Sequence, residues 1–145
     1  MKLLRILAVA LIAAAVLVPA AMSDQSASRA ALTAKSSRFG NVLFDGRGFV
    51  LYAFTRDHPR SACYGACARA WPPYFAPKTL GVGPGVKRSL LGTVKRRNGR
   101  RQVTYAGRPL YYYVGDTRAG QILCHNVAEY GGTWLIVRPS GKLVR

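Results

Sequence analysis

Leu51-Tyr52-Ala53-Phe54-Thr55-Arg56-Asp57 returns as Leu110-Tyr111-Tyr112-Tyr113-Val114-Gly115-Asp116, an LYx(F/Y)xxD heptad repeated 59 residues later. A glycine stands three positions before each Leu, Gly48 and Gly107, and a Trp follows each Asp at similar distance, Trp71 and Trp134. Ordered landmarks at one offset indicate a duplicated structural unit, which constrains architecture before any reaction is considered. In each heptad the two motif aromatics, Tyr52 with Phe54 and Tyr111 with Tyr113, sit two apart and share one strand face. The Leu and the intervening residue point the other way. Each closing Asp, Asp57 or Asp116, falls where its strand should end and can accept backbone N–H bonds to shape a turn.

The flanking sequence is β-like. Asn98-Gly99 lies between Thr93–Lys95 and Arg101–Tyr105, a hairpin pattern that predicts a type I′ turn with positive φ at both central residues. A second hairpin is expected from Val42–Phe44 through Asp45-Gly46-Arg47-Gly48 into Phe49–Phe54, and a third from Trp134–Val137 through Pro139-Ser140-Gly141 into Lys142–Val144. One short helix is expected after the first motif, from Ala62 to Ala70, capped by Ser61 and ended by Pro72-Pro73. Pro and Gly from Pro73 to Pro84 predict an irregular connector. The fold expected is mainly β: two related antiparallel β units, about 39–75 and 92–145, forming one domain over 39–145.

The N-terminus reads as a targeting device. Lys2 and Arg5 precede an apolar run from Ile6 to Met22, and the small residues Ala21 and Ser23 suit cleavage near Ser23, with Val18-Pro19-Ala20 as a second candidate. The run is short for a membrane span, which needs about 20 apolar residues. The first Cys is Cys63, so no cysteine near the cleavage region can take a lipid. Residues 1–23 are therefore expected to be a signal peptide, and 24–38, small and polar, a flexible leader. Without Lys2 and Arg5, 20 basic residues face 5 acidic ones, a net charge of +15. Such a field attracts polyanions and anionic membranes without defining a site. The densest charge is the hairpin tip Lys95, Arg96, Arg97, Arg100 and Arg101, the candidate polyanion contact.

Chemistry-bearing residues are few. In an oxidising compartment Cys63 and Cys67, with Gly65 between them, are expected to pair, leaving Cys124 odd. The alternative is a redox or metal site, copper or zinc, built from Cys63, Cys67, Cys124 and His125, although the spacing departs from ordinary zinc ribbons. Asp57 and Asp116 could act as an acid/base pair across a pseudo-twofold axis, but duplicated positions more often carry duplicated structure. No nucleophile motif, phosphate loop or HExxH is present, and no catalytic residue or cofactor is assigned. His58, before Pro59, is a loop histidine. The motif aromatics with Tyr112, Trp71 and Trp134 could form a stacking platform for single-stranded nucleic acid, but core packing is the more economical assignment.

These residues together resemble a family of bacterial secreted proteins and lipoproteins with a repeated Yx(F/W/Y)xxD motif and no assigned function. The resemblance rests on Leu51–Asp57, Cys63-Tyr64-Gly65-Ala66-Cys67-Ala68, Trp71-Pro72-Pro73, Gln102–Tyr111, Asp116, Gly132-Thr133-Trp134 and Pro139-Ser140-Gly141. It covers Phe39 to Gly141 and implies an envelope location and a repeat module, with no substrate or catalytic residue. The family often carries a lipidation cysteine that this sequence lacks, and Cys124-His125 is an addition to its pattern. The expectation is an exported, non-enzymatic binding or structural module, periplasmic or secreted. Its partner would be an anionic envelope polymer or a membrane surface; specific nucleic-acid binding is not expected.

Overall fold

The computed structural model describes residues 32–145; the expected signal peptide and residues 24–31 of the expected leader lie outside the described residues. Eight strands form, β1 Leu32–Ser37, β2 Gly40–Asp45, β3 Tyr52–Phe54, β4 Leu91–Lys95, β5 Arg101–Tyr105, β6 Arg108–Tyr111, β7 Val127–Glu129 and β8 Gly132–Ile136, with one helix, α1 Ala66–Ala70. A six-stranded antiparallel sheet runs β4-β5-β6-β3-β8-β7, and β1-β2 is a separate hairpin. The fold is mainly β and built from two repeat units, as the duplication implied.

The units are interlocked. Strands β3 and β6, which carry the two heptads, pair with each other, with Tyr52 opposite Tyr111. The other edge of β3 takes β8, from the second unit. The other edge of β6 pairs first with β5, at Arg108 and Pro109, and beyond that takes the chain after Trp71, from the first unit, through Tyr74 N–H to Leu110 O at 2.9 Å and Tyr112 N–H to Pro72 O at 2.8 Å. A further pair of bonds repeats this exchange: Leu43 N–H to Val137 O at 2.9 Å, and Val103 N–H to Tyr74 O at 2.8 Å. Each unit thus completes the hydrogen bonding of the other.

The alternation expected along the heptad decides the two cores. Tyr52, Phe54 and Tyr111 enter an aromatic cluster with Trp71 and Trp134 on one face. Leu51, Ala53 and Leu110 enter a second cluster with Leu32, Leu43, Val103 and Tyr105 on the other. In the aromatic cluster the two tryptophans stack face to face, centroids 4.0 Å apart and 2° from parallel. Phe54 lies on the outer face of Trp134 at 4.2 Å, and Tyr113 on that of Trp71 at 4.7 Å. Tyr52 and Tyr111 meet Trp71 and Trp134 edge-on at 5.2 and 5.1 Å. Both tryptophans have zero exposure, which places them in the core rather than on a stacking platform. Trp71 Nε1–H donates to Glu129 at 2.9 Å, while Trp134 Nε1 has no partner among the described residues.

Three local expectations are corrected. Residues 32–37 of the expected flexible leader form β1, because this segment is the counterpart of β4, pairs along β2 and buries Leu32. The helix is shorter than Ala62–Ala70: it starts after Gly65, and Ser61 does not cap it. The Asn98-Gly99 turn is not type I′, since Gly99 has φ +81° and Asn98 has no positive φ. Instead Gly99 N–H bonds to Arg96 O and Arg96 N–H to Arg100 O, each at 2.9 Å. That is a turn closed by a left-handed glycine, the common longer hairpin loop. The loops Asp45–Phe49 and Arg138–Lys142 close identically, with Gly48 and Gly141 in the left-handed position.

Replacing Trp134 by Ala should destabilise the protein by about 3–5 kcal/mol, the usual cost of removing a buried Trp. The Trp71→Ala, Trp134→Ala double variant should lose less than the sum, because the two rings share a face. Urea unfolding measures both; strict additivity would contradict the stacked arrangement.

Candidate functional site

The polar groups with the strongest geometry lie where β3 meets β6. The chain turns immediately after each heptad strand, with Asp57 N–H bonded to Phe54 O and Asp116 N–H to Tyr113 O, both at 3.1 Å. The carboxylates therefore stand in the turns just past the strand ends. Each Asp uses one oxygen to hold its own loop: Asp57 Oδ1 accepts Ala62 N–H at 2.8 Å, and Asp116 Oδ1 accepts Leu123 N–H at 2.9 Å. Each uses the other oxygen to hold the opposite unit. Tyr111 O–H donates to Asp57 Oδ2 at 2.7 Å, and Tyr52 O–H donates to Asp116 Oδ2 at 2.6 Å.

Both carboxylates are buried, 9% and 6% exposed. Loss of water raises their pKa above the ordinary carboxylate value, and the hydrogen bonds they accept offset part of that rise. Burial likewise raises both Tyr hydroxyls, so they stay protonated donors. Each acid is bound to a Tyr and a backbone N–H rather than facing its counterpart, so the two do not form an acid/base pair around a shared substrate space. Their geometry is that of two equivalent clasps.

On the Asp57 side the network continues. Ser61 Oγ shares a hydrogen bond with Tyr111 Oη at 2.7 Å and accepts one from Arg96 Nη1 at 2.6 Å. Arg96 also donates to Gln102 Oε1 at 2.7 Å and to Cys63 O at 2.5 Å, and its guanidinium lies 4.3 Å from the Tyr64 ring centre. Arg96 is 6% exposed. This corrects its expected place among the exposed tip cations: a buried guanidinium needs several acceptors, and this pocket supplies three. Its charge also favours the ionised form of Asp57. Ser61, expected as a helix cap, and Gln102 were not legible as network members, because their partners lie 50 and 6 residues away on other elements.

The remaining tip residues, Lys95, Arg97, Arg100 and Arg101, are exposed. Two are held by aromatic faces, Arg97 by Tyr64 at 4.5 Å and Arg100 by Phe75 at 3.4 Å, and Arg101 donates to Thr93 Oγ1 at 2.7 Å. The tip is thus a braced cationic surface. Lys95 and Arg97 border a cleft of about 600 Å³ that also takes in Arg60 and Tyr64.

Cys63 and Cys67 are joined in a disulfide, with Cα atoms 5.3 Å apart, and Gly65 between them takes φ +56°. Cys124 is a partly buried single thiol. His125 accepts the Ile136 N–H at Nδ1 (3.4 Å) and packs its ring edge-on against Phe39. Its pKa is lowered, first by burial and then by Arg38. The alternative set of Cys63, Cys67, Cys124 and His125 is not brought together as ligands: two thiols are consumed by the disulfide, and the described residues contain no cluster of three or more candidate metal-binding side chains.

Two copies of one interlocked unit, ordered around Tyr–Asp clasps and stacked tryptophans, define a repeat protein. A family described as a secreted repeat of unknown function, Lipoprotein 15, matches residues 33–74 and 92–138, the spans that begin at β1 and β4. The chain belongs to this family of secreted repeat proteins. No curated protein and no solved structure matches it.

Asp57→Ala leaves Tyr111 O–H and Ala62 N–H without their acceptor, and Asp116→Ala does the same to Tyr52 and Leu123. Each substitution should cost about 1–3 kcal/mol in chemical denaturation; full stability in either variant would contradict the clasp. The raised pKa values fix the pH dependence. The stability these groups contribute is present at acid pH and is lost as pH rises through their folded-state values. Melting curves should show the double Asp→Asn variant losing that pH-dependent component, which lies above the ordinary carboxylate range of about pH 4.

Non-reducing peptide mapping of the oxidised protein should recover Cys63 linked to Cys67 and one alkylatable thiol at Cys124. A bridge from Cys124 to either partner would overturn this pairing.

Proposed function

We propose that this chain is exported through cleavage of a signal near Ser23 and acts in the periplasm or outside the cell as a non-enzymatic module that binds an anionic envelope polymer. One observation carries the reading: the described acids all accept hydrogen bonds from the fold, while the Lys and Arg side chains other than buried Arg96 and half-buried Arg138 face water. Asp45, Asp57 and Asp116 are buried. Asp45 accepts the Arg47 and Phe49 N–H groups and the Tyr112 hydroxyl, and Glu129 accepts the Trp71 indole. Among the described residues the single ion pair is Arg47 with Asp45, at 3.0 Å. Exposed Lys and Arg side chains are therefore left without carboxylate partners, and their field falls on whatever polyanion approaches. The crossed clasps and stacked rings hold that surface on a fixed scaffold, so binding does not require the fold to form first.

The exported protein should bind long-chain polyphosphate, used as the probe polymer, and not neutral dextran. Its affinity should fall about tenfold or more between roughly 50 and 200 mM salt, as counterion release requires when several contacts are made. Intact mass should place its first residue near Asp24 with no added lipid. Binding indifferent to salt, or absent, would overturn the reading, and preference for anionic vesicles over polyphosphate would replace the polymer by a membrane surface.

A further inference from the structure

The repeat makes two clefts, each walled by three exposed cations. The first, about 700 Å³, lies between the end of β1 and the loop after Asp116, with Lys35, Arg38 and Arg118 on its walls. The second, about 600 Å³, lies between the end of β4 and the loop after Asp57, with Arg60, Lys95 and Arg97 on its walls and Arg96 behind them. Strands β1 and β4 are counterparts, and so are the two post-Asp loops. Each cleft therefore joins the first strand of one unit to the Asp loop of the other.

The correspondence reaches single residues. Arg38 and Arg97 stand at the repeat offset of 59, while the pairs Lys35 with Lys95 and Arg118 with Arg60 are one position out of register. An arginine ties each cleft together by bonding an equivalent carbonyl across the units. Arg38 Nη2 donates to Ile122 O at 2.9 Å, and Arg96 Nη2 donates to Cys63 O at 2.5 Å. Cys63 and Ile122 are again 59 apart. Neither cleft has an Asp or Glu on its walls, while Ser36 in one and Ser61 in the other add hydroxyls. Three exposed cations converging on a concave surface with no counter-charge repel one another unless an anion sits among them. Guanidinium forks and ammonium groups match phosphate oxygens, by paired hydrogen bonds and by point charge.

We propose that each cleft binds a phosphate group, so that one chain carries two sites of the same chemistry for a phosphate-bearing polymer. This rests on the polyanion reading above and gives it a location and a stoichiometry. At the repeat offset, Tyr64 of the second cleft corresponds to Leu123 of the first, and the Tyr64 ring carries Arg96 and Arg97.

Calorimetry with inorganic pyrophosphate on the exported protein tests this. The expected stoichiometry is two. Arg60→Glu with Lys95→Glu should remove one site, and Lys35→Glu with Arg118→Glu the other, each weakening polyphosphate binding about tenfold, equivalent to ~1.4 kcal/mol. Lys78→Glu with Lys142→Glu makes the same charge change outside both clefts and should leave two sites. Thermal melts confirm that each variant is folded, and Gln replacements at the same positions provide a milder second series. Equal weakening by all three pairs, or a stoichiometry that the cleft variants do not change, would overturn the clefts as sites. Polyphosphate binding that persists in that case leaves the broader polyanion reading standing, whereas its loss in the unmodified protein ends both. If the cleft pairs release the protein from phosphatidylglycerol vesicles but not from polyphosphate, the phosphate source is a lipid headgroup and the polymer assignment fails.

Discussion

The crossed Tyr–Asp pair at the β3–β6 junction is the constraint on which the rest of the structure depends. Tyr52 of the first unit donates to Asp116 of the second, and Tyr111 of the second donates to Asp57 of the first. The other oxygen of each carboxylate holds the loop that follows it. One side chain thus sets three things: the end of a strand, the path of a loop and the position of the other unit. The stacked Trp71 and Trp134 lie beside this crossing, each covered on its outer face by an aromatic from the opposite heptad. Exchange of strands and exchange of clasps act in the same direction, so neither unit presents a finished surface without its partner.

The same arrangement governs the electrostatics. The chain has few acids, and the fold draws the described Asp residues inward as turn-formers and acceptors. A carboxylate bonded to a backbone N–H and a tyrosine hydroxyl in a desolvated site cannot neutralise a cation at the surface. Arg96 shows the converse: it lies inside because Ser61, Gln102 and the Cys63 carbonyl accept its protons. Its neighbours Lys95, Arg97, Arg100 and Arg101 have no such pocket and remain exposed. The strong surface field is thus partly a consequence of how the acids hold the repeat together.

Much of the fold was legible because it is local. Alternation along Leu51–Phe54 and Leu110–Tyr113 gives the two faces directly, since strand side chains alternate, and the structure puts the aromatics in one core and the leucines in the other. The Cys63–Cys67 bridge followed from short separation and a permissive Gly65. The misread parts depend on partners distant in sequence. Residues 32–37 are small and polar enough to suggest a loose leader, yet they form a strand because β2 offers them a complete edge. Ser61 has the residue type of a helix cap, but Tyr111 and Arg96 compete for its hydroxyl. Asn98-Gly99 suggested a two-residue turn, whereas the hairpin closes with Arg96 and Arg100 bonded across a longer loop.

The sequence by itself determined that there are two copies of one β unit, which residues of each heptad share a face, and that the chain is strongly basic. These are properties of spacing and composition, readable without knowing any contact. Tertiary structure alone decided that the copies interlock, that each Asp clasps the other unit's Tyr, and that five tip cations divide into one buried network member and four exposed charges. The physical reason is that a repeat offset specifies what is equivalent but not what touches. A hydroxyl, a carboxylate or a guanidinium takes its role from the acceptor or donor that the fold places within about 3 Å of it.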